Sequence, residues 1–392
     1  MSGRPRVVGR LGHTRLWSRL TSIVIVSLAG VLALAACSSS SSQSQSNSGA
    51  SSSAAAGGST SQGALPFLER PSSVGVTAPL NGPVPKGKTI VWINCDYSPA
   101  CVSFDAPGFA AAKLLGWHFV SIPGGETPQS LAQAWTRAIS LHPDGVIANG
   151  TDETLYAKYV NQLAAAHVPV VSIGQAFPGN ATLGEIAGEP FLEIQAADQA
   201  KYIASVDPHA NVLFVAGAGY SVNELSQVAF EHALKADCAG CTEDALNVPL
   251  TSVGTNLPSL IVSDLQSHPN TNWVNLAFAD MDLGLTGALN AGGYAGKISV
   301  ITADPDTAID SELASGQYVK AVGQYSQPYI MWRAFDWFAR KFTGTPVADD
   351  VGTSMPQWIM TKSNTQGIDL SQPVALVPDY QAQFEKLWGV QQ

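Results

Sequence analysis

The chain has 392 residues, 20 Lys and Arg against 30 Asp and Glu, and a formal net charge of −10 at pH 7. This acidic balance argues against nucleic acid and anionic lipid headgroups as partners, because phosphate binding needs concentrated Lys and Arg. Hydrophobic residues make up 45% of the chain and charged residues only 13%, which allows a large core, and the length favours about two domains.

The first 36 residues have the layout of a secretory signal peptide. Five arginines precede an apolar run at 23–36, and that run ends in small residues directly before a cysteine. The stretch Leu34-Ala35-Ala36-Cys37 resembles the lipobox of bacterial lipoproteins, in which the cysteine is acylated and becomes the new N-terminus. An ordinary signal peptide and an uncleaved transmembrane anchor are the alternatives, but the apolar run is short for a span of about 20 residues.

We therefore predict a lipoprotein signal peptide at 1–36 and an extracytoplasmic mature chain that a lipid on Cys37 anchors to the cell membrane. Loss of the signal would leave a formal net charge of −15. Residues 38–62 are mostly Ser, Gln, Ala and Gly, which cannot bury enough apolar surface to order themselves. Prolines and apolar residues recur from there to the first strand. A tether and an extended lead-in that lies on the folded body are thus expected at 37–87.

Short apolar runs then alternate with helical patterns, in two successive blocks. In the first block we predict strand 89–94, helix 103–115, strand 117–122, helix 127–141, strand 144–148, helix 152–167 and strands 168–173 and 181–186. In the second block we predict helix 191–206, strand 211–215, helix 224–237, strand 245–250, helix 257–266, strand 273–279, helix 283–290, strand 298–302, helix 308–315, strand 319–323 and helix 327–342. This alternation implies right-handed βαβ units on parallel sheets. The predicted fold class is α/β, with two doubly wound lobes and the ligand at the carboxyl ends of the strands.

Four further cysteines form two local pairs, Cys95 with Cys101 and Cys238 with Cys241. In an oxidising compartment, closely spaced pairs favour disulfides. A four-thiolate zinc site is one alternative, although the spacing of the first pair is unusual for it. A redox-active C-x-x-C at the second pair is the other, but such a motif normally opens a helix, and this one follows the helical pattern 224–237.

Four stretches, taken in order, carry a family resemblance. They are the strand–helix–strand pattern at 144–173, the run at 278–289, the strand that ends in an aspartate at 298–304, and the return strand that ends in a glutamine at 314–324. Together they resemble the type I periplasmic solute-binding proteins of ABC transporters, the ribose- and galactose-binding group. The likeness covers about 88–344.

The resemblance implies a hinge of three crossovers between the lobes. The expected crossovers are near Ala187, Tyr325 and 355–358. The expected lobe 1 comprises 88–186 plus about 325–355, and the expected lobe 2 comprises 187–324 plus about 356–392.

The resemblance also implies ligand-binding residues. Asp304 stands where the family places a carboxylate that accepts hydrogen bonds from ligand, although an N-cap of the following helix is an alternative role. Gln324 stands where a family glutamine reaches the ligand from a hinge crossover, with a hinge hydrogen bond as the alternative. Asp280 and Met281 are expected at the same cleft mouth, and Asp282 is expected to be structural.

The departures from the family pattern make a standard sugar uncertain. Sugar-binding members carry an Asp–Arg pair after the fourth strand, where this chain has Gly174 and Gln175. Asp96, Tyr97 and Phe104 in or beside the first strand–helix loop are candidate ligand contacts, the aromatic pair as an apolar wall. Core packing is their alternative role. The expected solute is a sugar or sugar-like molecule, or a less hydroxylated, aromatic or amphipathic one.

The predicted function is capture of a small molecule between two lobes and its delivery to an ABC permease, by a monomer without a cofactor and without enzymatic activity. A lipoprotein that presents its ligand to a membrane sensor is an alternative, and so is a redox or enzymatic lipoprotein that uses Cys238 and Cys241. No G-x-S-x-G, H-E-x-x-H or P-loop pattern is present. A DNA-binding regulator with the same lobes would need an N-terminal helix-turn-helix where the signal and tether lie.

Overall fold

The computed structural model describes most of the chain beyond the predicted tether. The described residues are 65–95, 99–125, 127–174, 183–347 and 355–390. The predicted signal peptide, Cys37 and the Ser-rich tether therefore lie outside them. Of the helices described, none combines the length and apolarity that crossing a bilayer requires.

Lobe 1 is built on a sheet of five parallel strands. In chain order these are β1 (Thr89–Asn94), β2 (His118–Pro123), β3 (Gly145–Ala148), β4 (Val170–Ile173) and β5 (Leu183–Ile186). The helices are α1 (Pro99–Val102), α2 (Asp105–Leu115), α3 (Pro128–Ser140) and α4 (Ala157–Ala165). Every residue of β3 and β4 is buried, as expected of strands that helices cover on both faces.

Lobe 2 repeats this plan with an added edge strand. Its strands are β6 (Asn211–Gly217), β7 (Thr242–Val248), β8 (Trp273–Leu276), β9 (Ser299–Ala303), β10 (Val319–Gly323) and β11 (Ile359–Thr361). Its helices are α5 (Glu189–Val206), α6 (Ser221–Asp237), α7 (Leu257–Ser267), α8 (Leu285–Ala291) and α9 (Thr307–Ser315). All neighbouring pairs are parallel except β10 and β11.

The two sheets have the same strand order. Lobe 1 runs β2-β1-β3-β4-β5 and lobe 2 runs β7-β6-β8-β9-β10-β11. In each sheet the winding reverses beside the first strand, at β1/β3 and at β6/β8, and such a switch point leaves a crevice at the carboxyl ends of the strands. The predicted α/β fold with two doubly wound lobes is confirmed.

Some boundaries differ from the sequence-based prediction. Strand β7 begins three residues earlier than expected, at Thr242, because it is an edge strand whose polar side chains are largely exposed. Strand β8 ends at Leu276, and a 3₁₀ turn at Ala279–Asp282 replaces the end of the expected strand 273–279. Helix α4 is also shorter than the predicted helix 152–167.

Three crossovers join the lobes where the resemblance placed them. The first passes through Ala187 between β5 and α5, and the second follows β10. The third precedes β11, and its Trp358 carbonyl accepts a 2.8 Å hydrogen bond from the Gln324 backbone N–H of the second. The Ala187 N–H lies 3.3 Å from Met355 Sδ, which connects the first crossover to the third.

Two further passages between the lobes were not predicted. The lead-in packs Phe67 into the core of lobe 2 and then reaches lobe 1, where the Pro85 carbonyl accepts a hydrogen bond from Trp117 Nε1 at 2.7 Å. After β11 the chain returns, and α11 (Tyr380–Trp388) packs against α10 (Gln327–Thr343), which itself lies on α2 of lobe 1. The expected division placed all of 356–392 in lobe 2, whereas α11 stacks its aromatic side chains on those of α10.

A buried ion network on α10 holds these returning segments. Asp336 is fully buried and accepts hydrogen bonds from Arg333 Nη1 at 2.8 Å, Arg340 Nε at 2.7 Å and Trp388 Nε1 at 3.0 Å. Arg340 Nη2 also donates to the Ala78 carbonyl of the lead-in at 2.8 Å. One carboxylate thus connects α10, α11 and the lead-in.

We expect Asp336→Ala to lower the free energy of unfolding by about 3–5 kcal/mol, because it leaves Arg333 and Arg340 buried without their counter-charge. Chemical denaturation followed by fluorescence measures this change. Glu231→Ala is the matched control, since it removes a carboxylate from an exposed i,i+4 pair with Lys235 and is expected to change stability little. Equal effects of the two substitutions would contradict the structural role of the network.

Candidate ligand-binding cleft

A cavity of about 200 Å³ lies between the lobes, at the carboxyl ends of both sheets. Lobe 1 contributes side chains that follow or end its strands, and lobe 2 does the same. From lobe 1 come Trp92, Phe104, Asn149, Thr151, Ile173 and the Cys95–Cys101 disulfide. From lobe 2 and the hinge come Gln195, Tyr220, Phe278, Asp280, Asp304 and Tyr325. The two topological switch points therefore face each other across one space.

Asp304 follows β9 in a backbone conformation that sets it apart from its neighbours. Its φ of 60° lies in the left-handed region, which Asp tolerates better than most residues. The cap of α9 is Asp306, whose Oδ1 accepts hydrogen bonds from the backbone N–H groups of Ala308 and Ile309 at 2.9 and 2.8 Å. Asp304 is therefore not the helix cap, and its carboxylate lines the cavity.

The surroundings of Asp304 disfavour its charge. Burial raises the pKa of its carboxyl to about 8, and the nearby carboxylates Asp280 and Asp306 add to the rise. Gln327 Nε2, at the start of α10, donates a hydrogen bond to Oδ1 and opposes the rise. Tyr325 also faces this carboxylate, and burial together with the Asp304 charge raises the pKa of its hydroxyl. In the empty cleft the Asp304 carboxyl is thus mostly protonated near neutral pH.

The lobe 1 wall carries two buried donors without a partner. Trp92 is 1% exposed, and its Nε1 makes no hydrogen bond. Asn149 is 3% exposed, and its Nδ2 also lacks a partner, while its Oδ1 accepts from the Thr151 backbone N–H at 3.1 Å. A buried donor left unpaired is costly, so both groups are suited to a hydrogen-bond acceptor on a ligand.

The structure brings together three of the predicted ligand contacts, Asp304, Asp280 and Phe104. It does not place the other two described candidates in the cavity wall. Gln324 Nε2 donates to the Val374 carbonyl at 3.3 Å, in keeping with the hinge role that was its alternative. Met281 is buried in the hydrophobic core. Asp96, Tyr97 and Gln175 lie outside the described residues.

Several wall residues were missed by the sequence analysis. Asn149 and Phe278 come directly after or at the end of predicted strands, and Tyr220 follows the turn after β6, so their position was a usable signal. Trp92 lies inside a buried strand and was assigned to the core on that ground. Its ring does pack 5.6 Å from that of Phe104, and both rings border the cavity.

Gly174 explains why the charged pair of the sugar binders is missing here. A Cβ at this position would lie 2.9 Å from the Tyr325 hydroxyl, and the φ of 67° also disfavours a side chain. The hinge tyrosine therefore occupies the space into which a longer residue at position 174 would extend. The result is a cleft wall with an aromatic hydroxyl in place of a formal charge.

Both predicted disulfides are present, Cys95–Cys101 and Cys238–Cys241. The zinc alternative fails because all four sulfurs are bonded to one another in pairs. Cys95–Cys101 borders the cavity. Cys238–Cys241 lies between the end of α6 and the start of β7, at the edge of its sheet opposite the cleft, so it takes no part in the cavity.

A direct hydrogen bond closes the cleft beside the cavity. Ser221 Oγ, at the start of α6, donates to Asp152 Oδ1 of lobe 1. Each of these residues is adjacent in sequence to a wall residue, Tyr220 and Thr151 respectively. The structure therefore shows the lobes in contact at the rim of the cavity.

No family model and no curated protein sequence matches this chain, but many solved structures do. GanP, a glucose-galactose binding protein from Geobacillus stearothermophilus, is 18% identical with a TM-score of 0.63, and its whole chain aligns with 72% of this one. A 5-methylthioribose transporter solute-binding protein from Thermotoga lettingae, solved with that ligand, is 13% identical with a TM-score of 0.62 and covers 79% of this chain and 100% of its own. An ABC transporter solute-binding protein from Agrobacterium vitis with bound allitol is 16% identical with a TM-score of 0.61, covering 72% of this chain and 98% of its own.

The chain has the fold of the type I periplasmic solute-binding proteins of ABC transporters. The resemblance inferred from the sequence is thereby confirmed at the level of the fold. In such solute-binding proteins two lobes flank one cleft, and here the cleft is the cavity that Asp304 and Trp92 line from opposite sides.

We expect the stability of the ligand-free protein to depend on Asp304. Because its folded pKa of about 8 exceeds the usual value near 4, the contribution is fully present below about pH 4 and is lost as the pH rises towards 8. Asp304→Asn, which suits the left-handed backbone, should reduce the fall in Tm between pH 5.5 and 8.5 by about 2–4 °C. Asp306→Asn keeps a capping side chain and serves as the control with a profile close to wild type. A wild-type profile for Asp304→Asn would contradict the assignment.

Proposed function

We propose that this protein is an extracytoplasmic solute-binding lipoprotein that captures a small molecule between its lobes and delivers it to an ABC permease. The observation that carries the proposal is the cavity itself, whose walls come from the carboxyl ends of two equivalent sheets. Neither lobe could enclose a solute alone, so binding and lobe closure are coupled.

The cavity wall supports a solute that is less polar than a standard hexose. Aromatic and aliphatic side chains dominate it, among them Phe104, Ile173, Leu250 and Phe278. The Thermotoga neighbour was solved with 5-methylthioribose, a sugar whose methylthio group is apolar. A sugar-like molecule with an apolar portion fits such a wall, since the apolar portion is removed from water on binding.

Closure would follow from differential affinity of the solute for the closed form. Short hinge segments that absorb backbone rotation, such as the crossover at Ala187, permit a rigid-body movement of the lobes. Solution scattering of the mature protein with pentoses, hexoses, polyols and methylthio sugars tests this. A decrease in the radius of gyration with a bound solute is expected, and a constant radius with every bound solute would overturn the proposal.

The rim hydrogen bond provides a specific test of closure. We expect Ser221→Ala to weaken solute binding roughly 3- to 10-fold, because the bond to Asp152 forms between lobes and stabilises the closed form. Titration calorimetry with a solute identified by scattering measures the change. Ser267→Ala is the control, since that hydroxyl bonds to the Ser263 carbonyl within α7. Unchanged affinity in Ser221→Ala would show that the bond does not contribute to closure.

The lipid anchor is tested separately from solute binding. We expect Cys37→Ala to release the protein from the membrane fraction and to abolish labelling by a radioactive fatty acid. Cell fractionation and fatty-acid labelling measure these two changes. Solute affinity of the released protein should stay at the wild-type value, because position 37 precedes the predicted tether. Retention of Cys37→Ala in the membrane fraction would contradict the anchor.

A further inference from the structure

The cavity contains acidic groups but no basic group that could balance them. Asp280 and Asp304 line it, and among the described lining residues there is no Lys, Arg or His. The internal segments outside the described residues contain none either, by sequence: 96–98, 126, 175–182 and 348–354. The formal charge of the closed cavity is therefore negative.

The groups that face Asp304 give it no compensating charge. Asp280 approaches from the turn after β8, Asp306 from the start of α9, Tyr325 from the hinge, and the neutral Gln327 from α10. Two carboxylates in a water-poor site cannot both ionise without large cost. Either one binds a proton, or the solute supplies a positive charge.

The opposite wall supplies an independent requirement. Trp92 Nε1 and Asn149 Nδ2 are buried donors without a partner, so they need an acceptor. A carboxylate on the solute is not favoured as that acceptor, because it would add a negative charge to a cavity without a cation. A hydroxyl, ether or carbonyl oxygen meets the same two donors without this penalty.

The space between these walls is apolar. Phe104 and Ile173 of lobe 1 face Leu250 and Phe278 of lobe 2 around the cavity. A solute that spans the cleft must therefore expose a ring or another apolar body between its polar ends. A fully hydroxylated solute would leave some of its hydroxyls against these side chains without a partner.

We infer that the solute bound in the cleft carries a protonated amino group held by Asp280 and Asp304 and a neutral acceptor oxygen held by Trp92 and Asn149. This inference rests on the proposed solute-binding function and specifies the class of solute. Amino sugars and hydroxylated arylalkylamines have this combination of groups. The overall acidity of the chain also attracts cations towards the cleft.

Proton release is a signature of this mode of binding. Near pH 7 the Asp304 carboxyl is mostly protonated, because its pKa is raised to about 8. An ammonium group binds the ionised carboxylate, so binding should expel close to one proton per solute. Affinity for the amine should then rise with pH between 6 and 8, by up to about tenfold per unit, and affinity for a neutral analogue should not rise.

Titration calorimetry at pH 7, in two buffers of different ionisation enthalpy, tests the inference. The probes are three matched pairs: glucosamine with glucose, galactosamine with galactose, and tyramine with 4-hydroxyphenethyl alcohol. We expect at least one amine to bind tenfold or more tighter than its neutral partner, with a buffer-dependent heat that reports proton release. Tyramine is the probe for the pH series, because its amine stays protonated across it.

Asp304→Asn should weaken amine binding at least tenfold, abolish proton release and change the affinity of the neutral partner less than threefold. Asp280→Asn provides a second variant with the same expected direction if Asp304→Asn does not fold. Asp306→Asn, a carboxylate outside the wall, should retain tight amine binding and proton release.

The outcomes separate this inference from the proposed function. Neutral sugars that bind as tightly as their amines, or amine binding that Asp304→Asn leaves unchanged, would overturn the amine inference while solute binding stands. Absence of binding by all six probes, together with compaction by neutral sugars or polyols in scattering, would overturn it as well. Absence of binding and compaction with every solute would contradict both.

Discussion

Helix α10 is buried along almost its whole length, and this burial sets the conditions for the rest of the molecule. From Gln327 to Arg340 every residue except Pro328 is buried. Its charged groups must therefore be paired inside the protein, and Asp336 meets that need by bridging Arg333 and Arg340. The same helix begins at the hinge, where Gln327 contacts Asp304. One element thus connects the core of lobe 1 to the floor of the cleft.

The hinge is constrained by more chain than three crossovers. The lead-in and the segment before α11 also pass between the lobes, and they meet where Arg70 Nη2 donates to the Ala375 carbonyl at 2.6 Å. Gln324 Nε2 contacts the Val374 carbonyl of the same segment. Any opening of the cleft must therefore accommodate these two passages, which restricts it to movements about the hinge axis that keep them in place.

The alternation of apolar runs and helical patterns was enough to predict two parallel-sheet lobes, because buried parallel strands such as β3 and β4 are apolar throughout. It could not predict β11, which has three residues and is held by antiparallel pairing to β10. Asp304 was predicted from its place after a strand. Gln324 was not distinguishable from a ligand contact, because its hydrogen bond to Val374 joins residues 50 positions apart. Trp92 was assigned to the core for the sound reason that its strand is buried, and only the fold shows that the cavity reaches its ring.

These features converge on a cleft that is closed by contact between lobes, apolar in its middle and acidic on one side. Its central claim is that the cleft binds one small solute per chain. Native mass spectrometry of the protein purified from its host without denaturation tests this most directly. We predict one small-molecule adduct per chain, lost on unfolding and regained from a metabolite extract after refolding. A bare chain that acquires no adduct from that extract would contradict the account.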